Sequence, residues 1–335
     1  MTNQTVLRLA LLSAAACGAL TAGHAAGQAA GQASAQSYPT KPIRLIAPYP
    51  PGGSSDLVAR ILGQKLGEAW GQRVVVDNRP GAGGSLGTGI AATASADGYT
   101  WVIGSVAPIV LNPLFYKTTY ESLRDFAPVS IIASAPQLVV VNPSLPVKSM
   151  KELAAFAKSK PGAVRYGSSG AGTLPHLGGE MFSTMSAERI AHIPYKGSPP
   201  ALLDLIAGEV HVVFADMPVA LPHVKSGKLR AIAVAGAKSF PLTPGIPTAI
   251  EAGLPGFALD NWWGLLTMKG VPPKIVNQIN AEIVKALKQP DVIERYTALG
   301  IESVTSTPQE VTSIIEADLT KYLTVINDSD IKMAQ

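Results

Sequence analysis

Ile43-Arg44-Leu45-Ile46-Ala47, then Pro48-Tyr49-Pro50-Pro51-Gly52-Gly53-Ser54-Ser55, then Asp56 to Ala69 place a short apolar run, a glycine and proline loop and a helical pattern in immediate succession. Leu57, Val58, Ile61, Leu62 and Leu66 recur at the spacing of one helix face, whereas the apolar run is too short for a helix. The stretch is a βα unit. Similar pairs follow: Arg73 to Asp77 before Ser85 to Ala94, Arg165-Tyr166-Gly167 before Thr173 to Met185, and His192-Ile193 before Pro200 to Ala207. Val210 to Ala215 and Leu229 to Val234 add strands, and Thr100 to Gly104 is another. This alternation predicts an α/β fold with mainly parallel sheets.

The C-terminal part breaks the rhythm. Pro272-Pro273 opens a long helix with Ile275, Ile279, Ile283, Val284 and Leu287 as its expected buried stripe, and more helix follows from Thr307 to Ile326. Apolar extended segments around Ile131 to Val141 and Phe257 to Leu266 flank a central portion with its own strands and helices. Read as two crossings, they predict a discontinuous first domain, residues 36–136 and 260–335, with a continuous second domain, 137–259, inserted between. A cleft between two such domains is a preferred place for a small ligand.

At 335 residues, with 47% hydrophobic and 15% charged side chains, the chain is not disordered and has room for about two domains. Its net charge of +4 comes from scattered residues, which does not point to nucleic acid. Beyond the N-terminus no apolar run approaches the ~18 residues of a spanning helix. The first segment itself, with Arg8, the apolar stretch Leu9 to Leu20 and an alanine-rich run to Ala35, reads as a secretory signal peptide. Small residues allow cleavage after Ala25 or after Ala35, and Ala35 fits better the patterned sequence that begins near Lys41. Cys17 is the single cysteine and lies inside this segment, so the mature chain is expected to have no disulfide, thiolate metal site or thiol nucleophile.

Three loops have a composition that secondary structure alone does not require: Pro48 to Asp56, Asn78 to Ser85, and Gly167 to Thr173. Each follows a strand and opens a helix. Glycine lets backbone approach a ligand, and unpaired N–H groups at a helix start attract an anion, so such loops can hold a carboxylate without a fixed cation. The first and third fall in different predicted domains, where closing a cleft would bring both onto one ligand. In the middle loop, Gly81-Ala82-Gly83-Gly84-Ser85-Leu86-Gly87 misses the dinucleotide spacing and no ribose-binding acid follows, so tight-turn packing is its expected role.

Enzymatic arrangements are incomplete. Gly167-Ser168-Ser169-Gly170-Ala171 lacks the last glycine of a nucleophile elbow, and no phosphate-binding Lys-Ser/Thr pair is present. His176, His192, His211 and His223 do not pair at metal-ligand spacing. No cofactor and no metal are expected. His176, in the first turn after the serine loop, is either a donor to the ligand or an exposed residue. Tyr195 either lines the cleft or covers a core edge. Asp216, at the end of a strand, either accepts from an ammonium or hydroxyl on the ligand or caps the helix near Met217. Trp262-Trp263 is expected to pack between the domains, with cleft lining as the minor reading.

In order and spacing, Tyr38-Pro39-Thr40-Lys41-Pro42-Ile43-Arg44, Pro50 to Asp56, Asn78 to Gly84, Asn112-Pro113-Leu114-Phe115-Tyr116, Gly167 to Gly170, Tyr195-Lys196-Gly197 and Gly227-Lys228-Leu229-Arg230 form a signature. By it the chain resembles the tripartite tricarboxylate transporter substrate-binding proteins, the Bordetella-uptake-gene (Bug) family of periplasmic receptors. The resemblance implies a two-domain type II periplasmic binding protein fold, with a ligand cleft between the domains. It further implies a monomeric receptor, without catalysis, that captures a small carboxylate and delivers it to the membrane subunits of such a transporter. A receptor for a membrane sensor and a secreted serine hydrolase using Ser168 or Ser169 are the alternatives. The site it implies joins Gly52, Gly53, Ser54 and Asp56 to Ser168, Ser169, Gly170 and Thr173, with His176 in support and Ser105 to Ala107 facing the cleft. Tyr49, Tyr195 and Asp216 complete the candidates. Pro51 departs from the small residue many relatives have there and removes one N–H from the loop.

Overall fold

The protein is described from a computed structural model, which covers residues 38–328. The expected signal segment, its cleavage sites and Cys17 lie outside the described residues. Strand β1 (Ile43–Ala47) is buried on both faces, and helix α1 (Ser54–Trp70) returns over it along Val58, Ile61, Leu62 and Leu66. Strand β2 (Val74–Asn78), helix α2 (Ser85–Ala92) and strand β3 (Thr100–Ser105) complete this parallel portion, with β1 between β2 and β3. A wide turn, Ala107–Leu111, leads into the short helices α3 (Asn112–Phe115) and α4 (Ser122–Asp125).

Strand β4 (Phe126–Val141) is 16 residues long and changes neighbours along its length. Phe126 to Pro136 pair with β9 (Asp260–Met268), and Gln137 to Val141 pair with β7 (Val212–Asp216) and β8 (Arg230–Ala235). A single nine-stranded sheet results, in the order β2-β1-β3-β9-β4-β7-β5-β6, with β8 also on β4. Strands β5 (Arg165–Ser168) and β6 (Ala191–Pro194) run parallel to each other, and β5 also runs parallel to β7. The sheet is therefore mixed, not mainly parallel. Both crossing segments, β4 and β9, run antiparallel to every strand they touch, because neither is joined to its neighbours by a single crossover helix.

Helix α5 (Met150–Ser159) carries a capping box in which Ser149 Oγ accepts from Glu152 N, and Glu152 accepts from the Lys148 amide. Helices α6 (Leu174–Ser186), α7 (Ser198–Ala207) and α8 (Met217–Lys225) follow β5, β6 and β7. Helix α6 lies unusually close to the sheet: a Cβ on Gly179 would stand 2.1 Å from the Tyr166 ring, so only glycine lets the start of α6 reach the strand ends. Helices α9 (Pro273–Leu287), α10 (Pro290–Ala298) and α11 (Pro308–Asp328) end the fold. The buried stripe of α9 is Val276, Ile279, Ile283, Ala286 and Leu287, so Ile275 and Val284 flank it where the sequence placed them in it. Among the described residues no helix is long and apolar enough to cross a membrane.

Candidate functional site

The first and third glycine loops open onto one cavity. From the β1 side it is lined by Tyr49, Gly53, Ser54, Ser55, Ser105 and Ala107. From the β5 side come Ser169, Thr173, Leu174, Pro175, Ser198 and Asp216, and β9 contributes Asn261 and Trp263. The empty space is about 370 Å³, part of it open to solvent. No lysine or arginine is among these lining residues.

On the first loop, two amides are used internally. Gly53 N donates to Pro50 O (3.1 Å) and Gly52 N to Asp56 Oδ2 (3.0 Å). The amides of Ser54 and Ser55 remain at the first turn of α1, where no helical carbonyl precedes them. Ser54 Oγ is buried and lies near enough to Asp216 to act on its carboxylate, but makes no hydrogen bond of good geometry. Pro51 is exposed and outside the lining, so its missing N–H falls on the solvent side.

Asp56 lies beneath the loop and off the cavity wall. Its carboxylate accepts from Gly52 N, from Arg60 Nε (2.9 Å) and from Asn78 Nδ2 (3.0 Å). Burial alone would raise its pKa, but these donors together hold it below the usual carboxylate range. Asn78 also donates to Tyr49 O (3.0 Å), which ties the ends of β1 and β2 together. Asp56→Ala is expected to cost about 2 to 3 kcal/mol through the orphaned donors, read as a lower urea midpoint; an unchanged midpoint would remove Asp56 from this scaffold.

The third loop stands on a stack of rings. His176 Nδ1 accepts from Gly172 N (3.2 Å), and the His176 ring lies on His192 at 3.9 Å between centroids and 9° between planes. His192 Nε2 shares a 2.6 Å hydrogen bond with Ser168 Oγ, and its ring stacks on Tyr166 at 4.8 Å. Tyr166 in turn donates to Glu180 Oε1 (2.6 Å). Burial, with His192 as a secondary cause, pushes the pKa of His176 down to about 3, and burial takes His192 down to about 4. Both rings are neutral at pH 7, as the acceptor role of His176 requires. His176 is thus neither exposed nor on the cavity wall; it positions the loop from below. Ser168 is fully buried and likewise off the wall, whereas Ser169 is on it. Thr173 Oγ1 donates to Gly170 O (2.6 Å), closing the turn before α6.

Gly170 and Tyr195 line an adjoining groove with Gly81 to Gly84 and Ala171. Tyr195 Oη donates to Asp204 Oδ2 (2.6 Å), and burial, then Asp204, pushes it up to about 12. The middle loop has more than a turn's role here. A Cβ on Gly83 would stand 2.6 Å from Ala171 O, and one on Gly172 would stand 2.3 Å from Asn112 Oδ1, so the middle and third loops meet through glycines. Asn112 Nδ2 holds the middle loop at Gly83 O (3.0 Å) and Ser85 Oγ (2.8 Å), and Tyr49 Oη donates to Gly83 O (2.8 Å). Burial and then the charge of Asp216 push the Tyr49 phenol far above its ordinary pKa, which keeps it a donor.

Asp216 occupies the N-cap position of α8 but makes no side-chain cap. Its Oδ1 accepts from Gln137 Nε2 (2.8 Å) and Asn261 Nδ2 (3.1 Å), and its Oδ2 from Ser198 Oγ (3.3 Å). Burial raises its pKa, and those three donors with nearby Ser54 pull against that rise. Ser55, Ser198, Asn261 and Gln137 were not singled out from the sequence. Ser198 at a helix start after Gly197 was a readable signal; Asn261 and Gln137, single amides in apolar strands, become meaningful only when β4, β7 and β9 converge. Trp263 lines the cavity, whereas Trp262 Nε1 donates to Asp318 Oδ2 (2.8 Å). Among the described residues no group of three or more His, Cys, Asp or Glu is placed to hold a metal ion.

Comparison with known proteins gives this arrangement a context. A sequence profile of the tripartite tricarboxylate transporter family receptor matches residues 58–331. The chain is 38% identical over 299 residues to Protein BugT of Bordetella pertussis, covering 89% of this chain and 92% of that protein. Among solved structures, an R. palustris protein crystallised with adipate superposes with a TM-score of 0.85 at 34% identity, covering 88% of this chain and 99% of the other. MatC from Rhodopseudomonas palustris, with bound malate, gives a TM-score of 0.82 at 29% identity, covering 86% and 100%. With a profile spanning most of its length and a full-length relative at this identity, the chain belongs to the tripartite tricarboxylate transporter receptor family.

Proposed function

We propose that the protein is an exported periplasmic receptor that closes on a small carboxylate and passes it to the membrane subunits of a tripartite tricarboxylate transporter. One observation carries the reading: two helix-opening loops from opposite ends of the sheet meet on one cavity, where the buried Ser54 hydroxyl makes no hydrogen bond of good geometry and neither lysine nor arginine is among the lining residues. Amide and hydroxyl donors can hold an anion there without the desolvation cost of a buried cation. Relatives that bind adipate and malate support the ligand class. The change of partners at Pro136 and Gln137 of β4 supports domains at 36–136 with 260–335 and at 137–259, hinged on β4 and β9. The receptor acts as a monomer, and residues 1–35 direct its export.

Ser54→Ala tests the site. Removing a hydroxyl that makes no hydrogen bond of good geometry changes the ligand-free stability little, while carboxylate affinity falls by about 0.5 to 1.5 kcal/mol, a factor of about 2 to 12. Equal affinity in calorimetry would take Ser54 off the ligand. For the receptor itself, a panel of carboxylates in thermal unfolding should contain a member that stabilises by about 2.7 kcal/mol at a hundred times its Kd and is recovered unchanged. Turnover of a panel member would favour a hydrolase, although Ser168, the serine paired with His192, is buried away from the cavity.

A further inference from the structure

The floor of the ligand cleft has a reverse side. Where β4 and β9 run side by side, Ala135 pairs with Asn261 and Pro136 with Asp260. Side chains on a strand point to alternate faces, and Gln137 and Asn261 both reach Asp216 on the cavity wall. Pro136 and Asp260, one residue along each strand, therefore face away from the cavity. There they meet the loop that follows β8: a Cβ on Gly236 would stand 3.1 Å from Pro136 Cβ and 3.5 Å from Asp260 Oδ1.

Beyond that contact the two sides part. A crevice with about 780 Å³ of empty space, part of it open to solvent, separates the loop from Gly236 to Pro241 from Ser134, Asp260 and Glu302. It continues past Pro241 into a second stretch of about 1030 Å³, where Leu242 faces Leu287, Ile293 and Ile301. Glu302 is tied to the crossing strand by two backbone hydrogen bonds with Ser134 (3.1 and 2.9 Å), so it moves with that strand. On the opposite face the cleft is shut. A Cβ on Gly197 would stand 2.5 Å from Pro50 Cγ, and Gly83 lies against Ala171 O. A cleft closed in front and a crevice open behind are what rotation about the crossing strands produces, and the reverse rotation narrows the crevice.

The two banks of the crevice differ in charge. The loop after β8 brings Lys238, and the other bank brings Asp260 and Glu302. Lys238 and these two acids form no ion pair with one another here. Asp318 and Lys321, which also act on Asp260, oppose each other, and Lys288 stands on the adjoining stretch. Resting on the two-domain reading above, we infer that this crevice is the counter-surface of the hinge: it closes as the ligand cleft opens, and Lys238, brought against Asp260 and Glu302, holds the ligand-free receptor open. These residues touch no ligand, yet they set affinity, because a ligand that binds the closed form binds more weakly in proportion to the fraction of protein that is closed.

The test measures that fraction without any ligand. Cys17 is the single cysteine and precedes the expected mature chain, so Leu86→Cys and Leu203→Cys, both exposed and one in each domain, give a unique pair for spin labels in the full-length mature protein. Pulsed dipolar spectroscopy then reads a long distance for the open form and a short one for the closed form. Ala237→Trp, at an exposed position on the crevice, wedges it and should lower the open-to-closed ratio by about five-fold or more. Lys238→Glu should lower it by about two- to five-fold, and adding Glu302→Lys should restore it, which loss of fold or of packing would not do. If the wild-type protein shows both distances and Ala237→Trp leaves their ratio unchanged, the counter-surface fails and the hinge reading stands. A ratio moved by Ala237→Trp but not by Lys238→Glu overturns the role given to Lys238. If wild type and variants all give one and the same distance, the hinge reading fails and this inference with it.

Discussion

Gly172→Ala is expected to weaken ligand binding by about 5-fold or more while leaving the chain folded. Gly172 has φ +77°, where alanine costs about 1 to 2 kcal/mol, and the new Cβ would stand 2.3 Å from Asn112 Oδ1 and 2.6 Å from the Tyr116 ring. Those neighbours cannot yield easily, since Asn112 is fully buried and its NH2 is committed to Gly83 O and Ser85 Oγ. The cheapest relief is to move the third loop away from the middle loop, which opens the cleft. Gly83→Ala should act in the same direction from the opposite side, because its Cβ meets Ala171 O. Overpacking of this kind costs about 1 to 3 kcal/mol and falls on the closed arrangement, which is about 5- to 150-fold in Kd, whereas the backbone strain is present whether or not ligand is bound and lowers stability instead. Gly227→Ala is the control: φ is +73° and a Cβ there meets nothing within 4 Å. It should lower stability by a similar backbone penalty and leave affinity alone. Small-angle scattering gives a second readout, with the Gly83 and Gly172 variants more extended than the wild type at saturating ligand. Wild-type affinity in both would mean that the two loops do not close over the ligand.

The second large effect is on stability in mild acid. His176 and His192 have folded-state pKa values lowered to about 3 and about 4 from 6.5, so below pH 6.5 the unfolded chain binds protons that the folded one refuses. The stability they confer is complete above pH 6.5 and is lost as the pH falls toward those folded values. Charging one ring also raises the cost of charging the other, only 3.9 Å away. Between pH 7 and pH 5 the pair is expected to remove about 2 to 4 kcal/mol. His176→Asn retains an acceptor for the Gly172 amide and removes the titrating ring, so its urea midpoint should depend less on pH across this window. A variant with the wild-type slope would assign the acid sensitivity elsewhere. Because the stack carries the third loop, ligand affinity should fall in parallel with stability.

Much of this site was legible where local chemistry decides it. Glycine, serine and threonine at strand-to-helix turns mark exposed amides whatever the tertiary fold, so Gly53, Ser54, Ser169 and Thr173 are found on the cavity wall where their loops suggested. Features that depend on convergence were not legible. Asp216 has the sequence context of a helix cap, and only the arrival of Gln137 on β4 and Asn261 on β9 turns it toward the cavity. His176 reads as a residue of a first helical turn, but Gly179 brings the helix so close to Tyr166 that the ring is sandwiched below the loop. Strand direction has the same origin: alternating β and α segments imply parallel neighbours, and nothing local in β4 or β9 announces that each enters the sheet against its partners.

The position of β9 also bears on how the molecule is made. Trp101 pairs opposite Thr267 and Ser105 opposite Trp263, so the slot between β3 and β4 stays vacant until the ribosome has passed residue 268. Until then β1, β2 and β3 present an unpaired edge, and every contact that seals it spans a long stretch of chain. High contact order of this sort retards folding. Truncations that stop short of β9 are therefore expected to aggregate instead of yielding a smaller stable fragment.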